Sequence, residues 1–274
     1  MEEANFPFIC ANIATDRTPI QQPKPYTTIE ATGKKIFILS VLGTGNNGLP
    51  STHAKKLEGI DFQDPIESTG RYISMKEDYD TSIALTHLGF YKDKALAETY
   101  ADIDLIIGGH SHTLEESAEK VNQTLITQAG NDMNYVGKII LTFRNNNIDI
   151  ETSIKDLENY DKKDKSIAEL IEQYNTNEAL QEVIGITEAP IRGKEELDSL
   201  FTDAQTATHN LDLVFQNNGG IRIPEIPEGE IKVNTIYELD PFGNDWVENL
   251  IEFIKQEKRI NYSGEKKNFV KEVD

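Results

Sequence analysis

The sequence holds one cysteine among 274 residues, Cys10, so no disulfide can form within the chain. In Phe8-Ile9-Cys10-Ala11 that thiol reads as a small buried hydrophobe, and the redox compartment cannot be read from it. Basic residues are scarce relative to acids: 27 Lys and Arg face 47 Asp and Glu, for a formal net charge of -20. A nucleic-acid polymer needs a basic footprint, so the charge balance argues against DNA or RNA as a partner. Small phosphate compounds are not, because a bound cation would dominate the local field. No apolar run reaches the length of a membrane span. The start, Met1-Glu2-Glu3, is acidic where a signal peptide begins basic.

What is present is organised around Gly108-Gly109-His110-Ser111-His112-Thr113. The apolar end of Asp102 to Ile107 reads as a buried strand, and two glycines then permit a tight turn. Two imidazoles follow at the strand's carboxyl end, where open α/β sheets carry their sites. Neutral imidazole is the commonest protein ligand for zinc and suits several other transition metals. A second apolar strand over 82–86 ends in His87-Leu88-Gly89, again a histidine at a strand end with glycine behind it. A solvated turn and a core histidine are the bland readings of these residues. The three together favour a metal site.

Around them runs a βαβ rhythm: strand 82–86, a helix near 92–100, strand 103–107, a third strand at 125–128 and a fourth over 135–143. The fourth turns back at Asn145-Asn146-Asn147 into a hairpin strand over 148–154. Earlier, 6–13 reads as a strand, 26–31 as a hairpin arm, and 35–43 as a core strand. Residues 61–79 are mixed, with helix within 68–75. His53 reads as a surface histidine. Strands alternating with helices and ending in hairpins give a mixed α/β sheet system.

The charged stretch 155–174 reads as a linker entering a helix whose apolar positions are Ile167, Leu170, Ile171 and Tyr174. The boundary falls near Asp161, giving a first domain over 1–160 and a second over 161–274. In the second, 180–186 begins the domain, 191–194 is a turn, 197–208 a helix and 211–216 a buried strand. That strand delivers Asn217-Asn218-Gly219-Gly220-Ile221-Arg222. An Asn-Gly hairpin turn would look similar, but glycine backbone admits a close ligand, and Arg222 can fork onto phosphate or carboxylate. His209 reads as a helix-end histidine. Residues 246–258 pattern as an amphipathic helix, and the tail from Asn261 reads as disordered.

Several of these stretches resemble the 5'-nucleotidase family of calcineurin-like metallophosphoesterases. They are Ala84 to Gly89, Asp102 to Thr113, Gln128-Ala129-Gly130, Tyr135-Val136-Gly137, Asn217 to Arg222, and Pro241-Phe242-Gly243-Asn244. Order and spacing match as well as content. The resemblance implies an incomplete metallophosphoesterase-like sandwich of two sheets with helices outside, joined to a substrate-binding α+β domain of the 5'-nucleotidase C-terminal type, itself expected to be incomplete. It implies two divalent cations, zinc or manganese, with His87 and His110 on one and His112 on the other. It implies substrate contacts from Asn217, Gly219, Gly220, Arg222 and Phe242, with a nucleotide or nucleotide-sugar as substrate. The implied activity is metal-dependent hydrolysis of nucleotide phosphoesters, in a periplasmic, cell-surface or secreted setting.

The family's early Asp-x-His, following Asp and Asn-His-Glu have no counterpart here, so no catalytic residue is assigned. The family's later base-stacking aromatic also has no match. The expectation is a chain that starts after the first ligand block. The competing readings are a non-catalytic remnant that binds metal or nucleotide and, with less support, an acidic partner-binding protein.

Overall fold

The computed structural model describes residues 4–52, 54–144, 147–211, 214, 219–242, 250–251, 254–255 and 259–260. The chain forms two compact units, Met1–Asp161 and Lys162–Asp274.

The first unit is built on a six-stranded mixed sheet. Its elements in chain order are β1 (Ile13–Ala14), β2 (Tyr26–Ala31), β3 (Lys34–Leu42), β4 (Asp61–Phe62), α1 (Pro65–Tyr72), β5 (Thr81–His87) and α2 (Phe90–Thr99). Then come β6 (Leu105–Ile107), β7 (Glu119–Val121), β8 (Thr124–Thr127), β9 (Tyr135–Arg144) and β10 (Asn147–Asp156). The sheet order is β2-β3-β5-β6-β8-β7. The four central strands run parallel and the two edge strands antiparallel.

Alternation along β3 and β5 explains the core. Phe37, Leu39, Val41 and Ala84 point to one face and are buried with Leu96, Ala97, Ile103 and Ile126. Ile66 and Tyr72 of α1 pack against the same cluster. The opposite face carries Ile36, Ile38 and Ile83, which are half-buried, and Leu85, which is 45% exposed. A central parallel strand is normally covered on both faces, so the second layer is thin here. Beside the six-stranded sheet stands the β9–β10 hairpin, paired from Tyr135↔Asp156 to Arg144↔Asn147. Lys34 lies over the Phe143 ring, and the Ala118 amide donates to Thr152 Oγ1, which ties the hairpin to the rest of the unit.

The strand expected over 6–13 is not continuous. Only Ile13–Ala14 pairs, with β4, and Ile9 makes an isolated bridge to Lys24. Asn12 explains the break: its buried side chain bonds the Leu42 amide and carbonyl and the Gln63 carbonyl, replacing a strand ladder. Cys10 is half-buried rather than buried, its thiol donates to Asn12 Oδ1, and burial pushes its pKa up.

The second unit comprises α3 (Lys165–Asn175), α4 (Glu178–Gln181), β11 (Val183–Thr187), β12 (Ile191–Arg192), α5 (Gly193–His209), β13 (Glu225–Ile226), β14 (Gly229–Lys232), α6 (Val233–Leu239) and β15 (Arg259–Ile260). Leu197, Leu200, Phe201 and Ala204 of α5 form a buried stripe against Ile226, Ile231, Ile236 and Leu239. The turn expected at 191–194 is a short strand running directly into α5, where Gly193 takes a left-handed φ of 70°. The Asp164 carboxylate caps α3 by accepting from the Ser166 and Ile167 amides, and hydrogen bonding from Ser166 and these amides lowers its pKa. The strand expected over 211–216, the helix expected over 246–258 and the tail from Asn261 lie wholly or mostly outside the described residues, as do His53 and the 145–147 turn in part. Among the described residues no helix is long and apolar enough to cross a membrane.

Candidate functional site

Parallel pairing sets the histidine site. β5 and β6 are neighbours, with Leu85 opposite Ile107, so both strands end at the same edge of the sheet. His87 is the last residue of β5 and His110 lies three residues past β6. His87 Nε2 and His110 Nδ1 stand 3.3 Å apart, with the rings meeting edge to face at 5.0 Å between centroids.

Glycine makes this approach possible. The Gly89 amide donates to the Gly109 carbonyl, clamping the two strand-end turns together. A Cβ on Gly109 would lie 3.2 Å from His87 Nδ1, and one on Gly89 would lie 3.4 Å from His110 Cδ2. Gly89 also takes a φ of 89°. His110 and His112 have φ values of 79° and 58°, left-handed geometry that residues with a side chain rarely adopt. Such outliers cost about 1–3 kcal/mol each and gather at functional sites.

The loop is held from beneath by Gln128. Its Nε2 donates to the Gly109 carbonyl, and its Oε1 accepts from the Thr113 amide and Ser111 Oγ. Ser111 Oγ in turn accepts from the Phe90 amide at the start of α2.

All three histidines are exposed at the sheet edge. Burial of its inner part, with the His110 and His112 imidazoles nearby, holds the His87 pKa below the usual histidine range. The neutral form so favoured is the ligand form. Zinc–nitrogen bonds of about 2.0–2.1 Å in a tetrahedron place neighbouring ligand nitrogens about 3.3 Å apart. The His87–His110 separation fits that edge. Among the described residues, no set of three or more His, Cys, Asp or Glu side chains converges on one point. The structure therefore brings His87 and His110 together and leaves His112 outside a three-ligand cluster.

One buried group near the site was not singled out by the sequence. Asp93 on α2 is fully buried, and its Oδ1 accepts from Thr86 Oγ1 at 2.6 Å. Its Oδ2 has no hydrogen-bond partner. Burial pushes its pKa up to about 6, opposed by the Thr86 bond. The signal was its spacing: Phe90, Asp93, Leu96 and Ala97 share the inward stripe of α2, so a carboxylate falls where an apolar residue belongs.

In the second unit, Gly219 and Gly220 lead to Ile221, which is buried in the core, and Arg222, which is exposed. The Arg222 amide donates to the Leu239 carbonyl at the end of α6. The guanidinium lies 4.9 Å from the Phe242 ring centroid. Phe242 is 40% exposed, and its amide donates to Asp240 Oδ1. Two of the expected substrate contacts, Arg222 and Phe242, thus meet on one surface. Asn217 lies outside the described residues.

Residues 161–251 match the family model of the 5'-nucleotidase C-terminal domain. The trifunctional nucleotide phosphoesterase protein YfkN of Bacillus subtilis is 25% identical over 284 residues, covering 89% of this chain and 19% of that protein. The 5'-nucleotidase of Vibrio cholerae is 27% identical, covering 89% of this chain and 54% of its own. A crystal structure of a 5'-nucleotidase precursor from Thermus thermophilus superposes with a TM-score of 0.71 at 24% identity, over 89% of this chain and 54% of that one. The fold is that of the 5'-nucleotidases, mixed α/β with a mixed sheet. Through residues 161–251 the chain is similar to the 5'-nucleotidase C-terminal domain, and it spans about half the length of the Vibrio relative and less of YfkN.

Proposed function

We propose that this chain takes part in metal-dependent hydrolysis of nucleotide phosphoesters. The observation that carries the reading is the His87–His110 pair, two imidazoles 3.3 Å apart at the carboxyl ends of adjacent parallel strands. In this reading His87 Nε2 and His110 Nδ1 hold a divalent cation, zinc or manganese, and His112 serves a second one. Such cations, when bound, polarise phosphoryl oxygens and lower the pKa of water. The chain's own residues favour the neutral form of His87, through burial, and hold the His110 loop in place through the Gln128 clamp.

The second unit presents the nucleotide. Arg222 offers a planar fork suited to an oxyanion, with Gly219 and Gly220 allowing close backbone approach. Phe242 flanks the base, and Asn217 adds a polar contact. The names of the relatives support nucleoside phosphates as the substrate class. A periplasmic, cell-surface or secreted setting follows from the family resemblance alone.

A second reading, a non-catalytic metal or nucleotide binder, draws on the lack of a three-ligand cluster among the described residues. A phosphatase panel with added Mn²⁺ or Zn²⁺, run beside elemental analysis, separates the two. Metal with phosphate release supports the first reading, and metal without turnover supports the second. Neither metal nor turnover removes both.

A further inference from the structure

The site's support is concentrated in one buried polar strut. Thr86 precedes His87 on β5, and its hydroxyl is tied to Asp93 Oδ1. The other carboxylate oxygen lies directly beneath the turn that carries His110: a methyl placed on Gly108 would overlap Asp93 Oδ2. The same methyl would stand 3.1 Å from Gln128 Nε2, the atom that holds the Gly109 carbonyl. Asp93 therefore sits between the strand end bearing His87 and the turn bearing His110, and within reach of neither imidazole. The position is fully buried, and the carboxylate leaves one of its oxygens without a hydrogen-bond partner there. An uncompensated buried polar atom is costly, so stability does not account for this choice.

We propose that Asp93 is a positioning residue, which fixes the His87–His110 separation by bracing Thr86 on one side and seating the Gly108–Gly109 turn on the other. This rests on the cation-binding reading above. Thr86 and Gln128 are its working partners: one reads the carboxylate on the β5 side, the other completes the seat under the turn. Ligand-orienting groups of this kind are worth about 10–100-fold in metal affinity.

The test uses the 274-residue chain and two readouts. Co²⁺ titration followed by visible absorption gives affinity and coordination geometry. Long-range ¹H–¹⁵N spectra of the metal-free chain give the state of the His87 and His110 imidazoles. Asp93→Asn keeps size and an acceptor for Thr86, and should stay within about threefold of the parent in Co²⁺ affinity, with the imidazole signals in place. Asp93→Ala should lose about 10–100-fold and shift both imidazole patterns. Leu96→Ala, on the same buried stripe of α2, controls for destabilisation alone and should leave both readouts unchanged while the chain is folded.

If Asp93→Ala leaves affinity and imidazole signals as they were, the proposal is overturned. It is equally overturned if Leu96→Ala moves them as much. Should the parent chain bind no Co²⁺, the cation-binding reading fails, while the metal-free imidazole spectra still decide whether Asp93 sets the pair.

Discussion

A methyl group on Gly109 would stand 3.2 Å from Nδ1 of His87, closer than side-chain carbons ordinarily approach. Gly109→Ala should therefore push the His87 ring and weaken divalent-cation binding by about three- to tenfold, at a stability cost of about 1 kcal/mol. Gly108→Ala meets Asp93 and Gln128 instead, and should destabilise the first unit by about 1–3 kcal/mol. Thermal melts and metal titrations on the two variants distinguish a displaced ligand from a crowded core. Equal effects on both measurements would count against the assignment.

Arg222 and Phe242 form a cation–π pair on the second unit. An exposed pair of this kind contributes about 0.5–1 kcal/mol, so Phe242→Leu should weaken AMP binding only about two- to fivefold. Arg222→Ala removes a charge-assisted contact worth about 1.5–3 kcal/mol and should cost about ten- to hundredfold. Calorimetry with AMP measures both. Unchanged affinity in Arg222→Ala removes the residue from the substrate site.

Burial raises the Asp93 pKa to about 6, so the folded chain holds this proton more tightly than the unfolded chain does. The favourable contribution is fully present below about pH 4 and is lost as pH rises through about 6. Between those two pH values the rise from the usual aspartate range to about 6 corresponds to about 2–3 kcal/mol. Stability of the parent chain relative to Asp93→Asn should fall by about that amount between about pH 4 and about pH 7. Urea denaturation at several pH values checks this, and parallel pH profiles for the two chains would contradict it.

Much of the first unit was legible because its signals are local. Apolar runs bounded by glycine gave β5 and β6, the return after Arg144 gave the β9–β10 hairpin, and strand ends gave the histidines. What the pattern could not give was tertiary substitution. Asn12 reads as a strand residue until its side chain is seen bonding Leu42 and Gln63. Asp93 draws no notice in a charged helix until its neighbours on the stripe are seen buried. Gln128 carried a family resemblance, but its role emerges only when the donors and acceptors of one loop meet its amide. The short elements β13, β14 and α6 went unread because each is too brief to show a period.

Turnover is a separate matter from binding. The 274 residues contain neither an Asp-x-His nor an Asn-His-Glu segment, and acid–base assistance alone is worth about 10²–10⁴-fold. We expect AMP hydrolysis by these residues alone to run at least about 10²-fold slower than by the Vibrio cholerae 5'-nucleotidase assayed alongside. Robust metal-dependent phosphate release by these residues alone would overturn this expectation.

In the proposed function His87 and His110 are ligands of one cation. Zn²⁺ or Mn²⁺ titration, with elemental analysis of the loaded and desalted chain, tests it directly. The parent chain should retain about one equivalent or more, and both His87→Ala and His110→Ala should lose at least about tenfold in affinity. Less than about a tenth of an equivalent on the parent, or unchanged binding in His110→Ala, would contradict it.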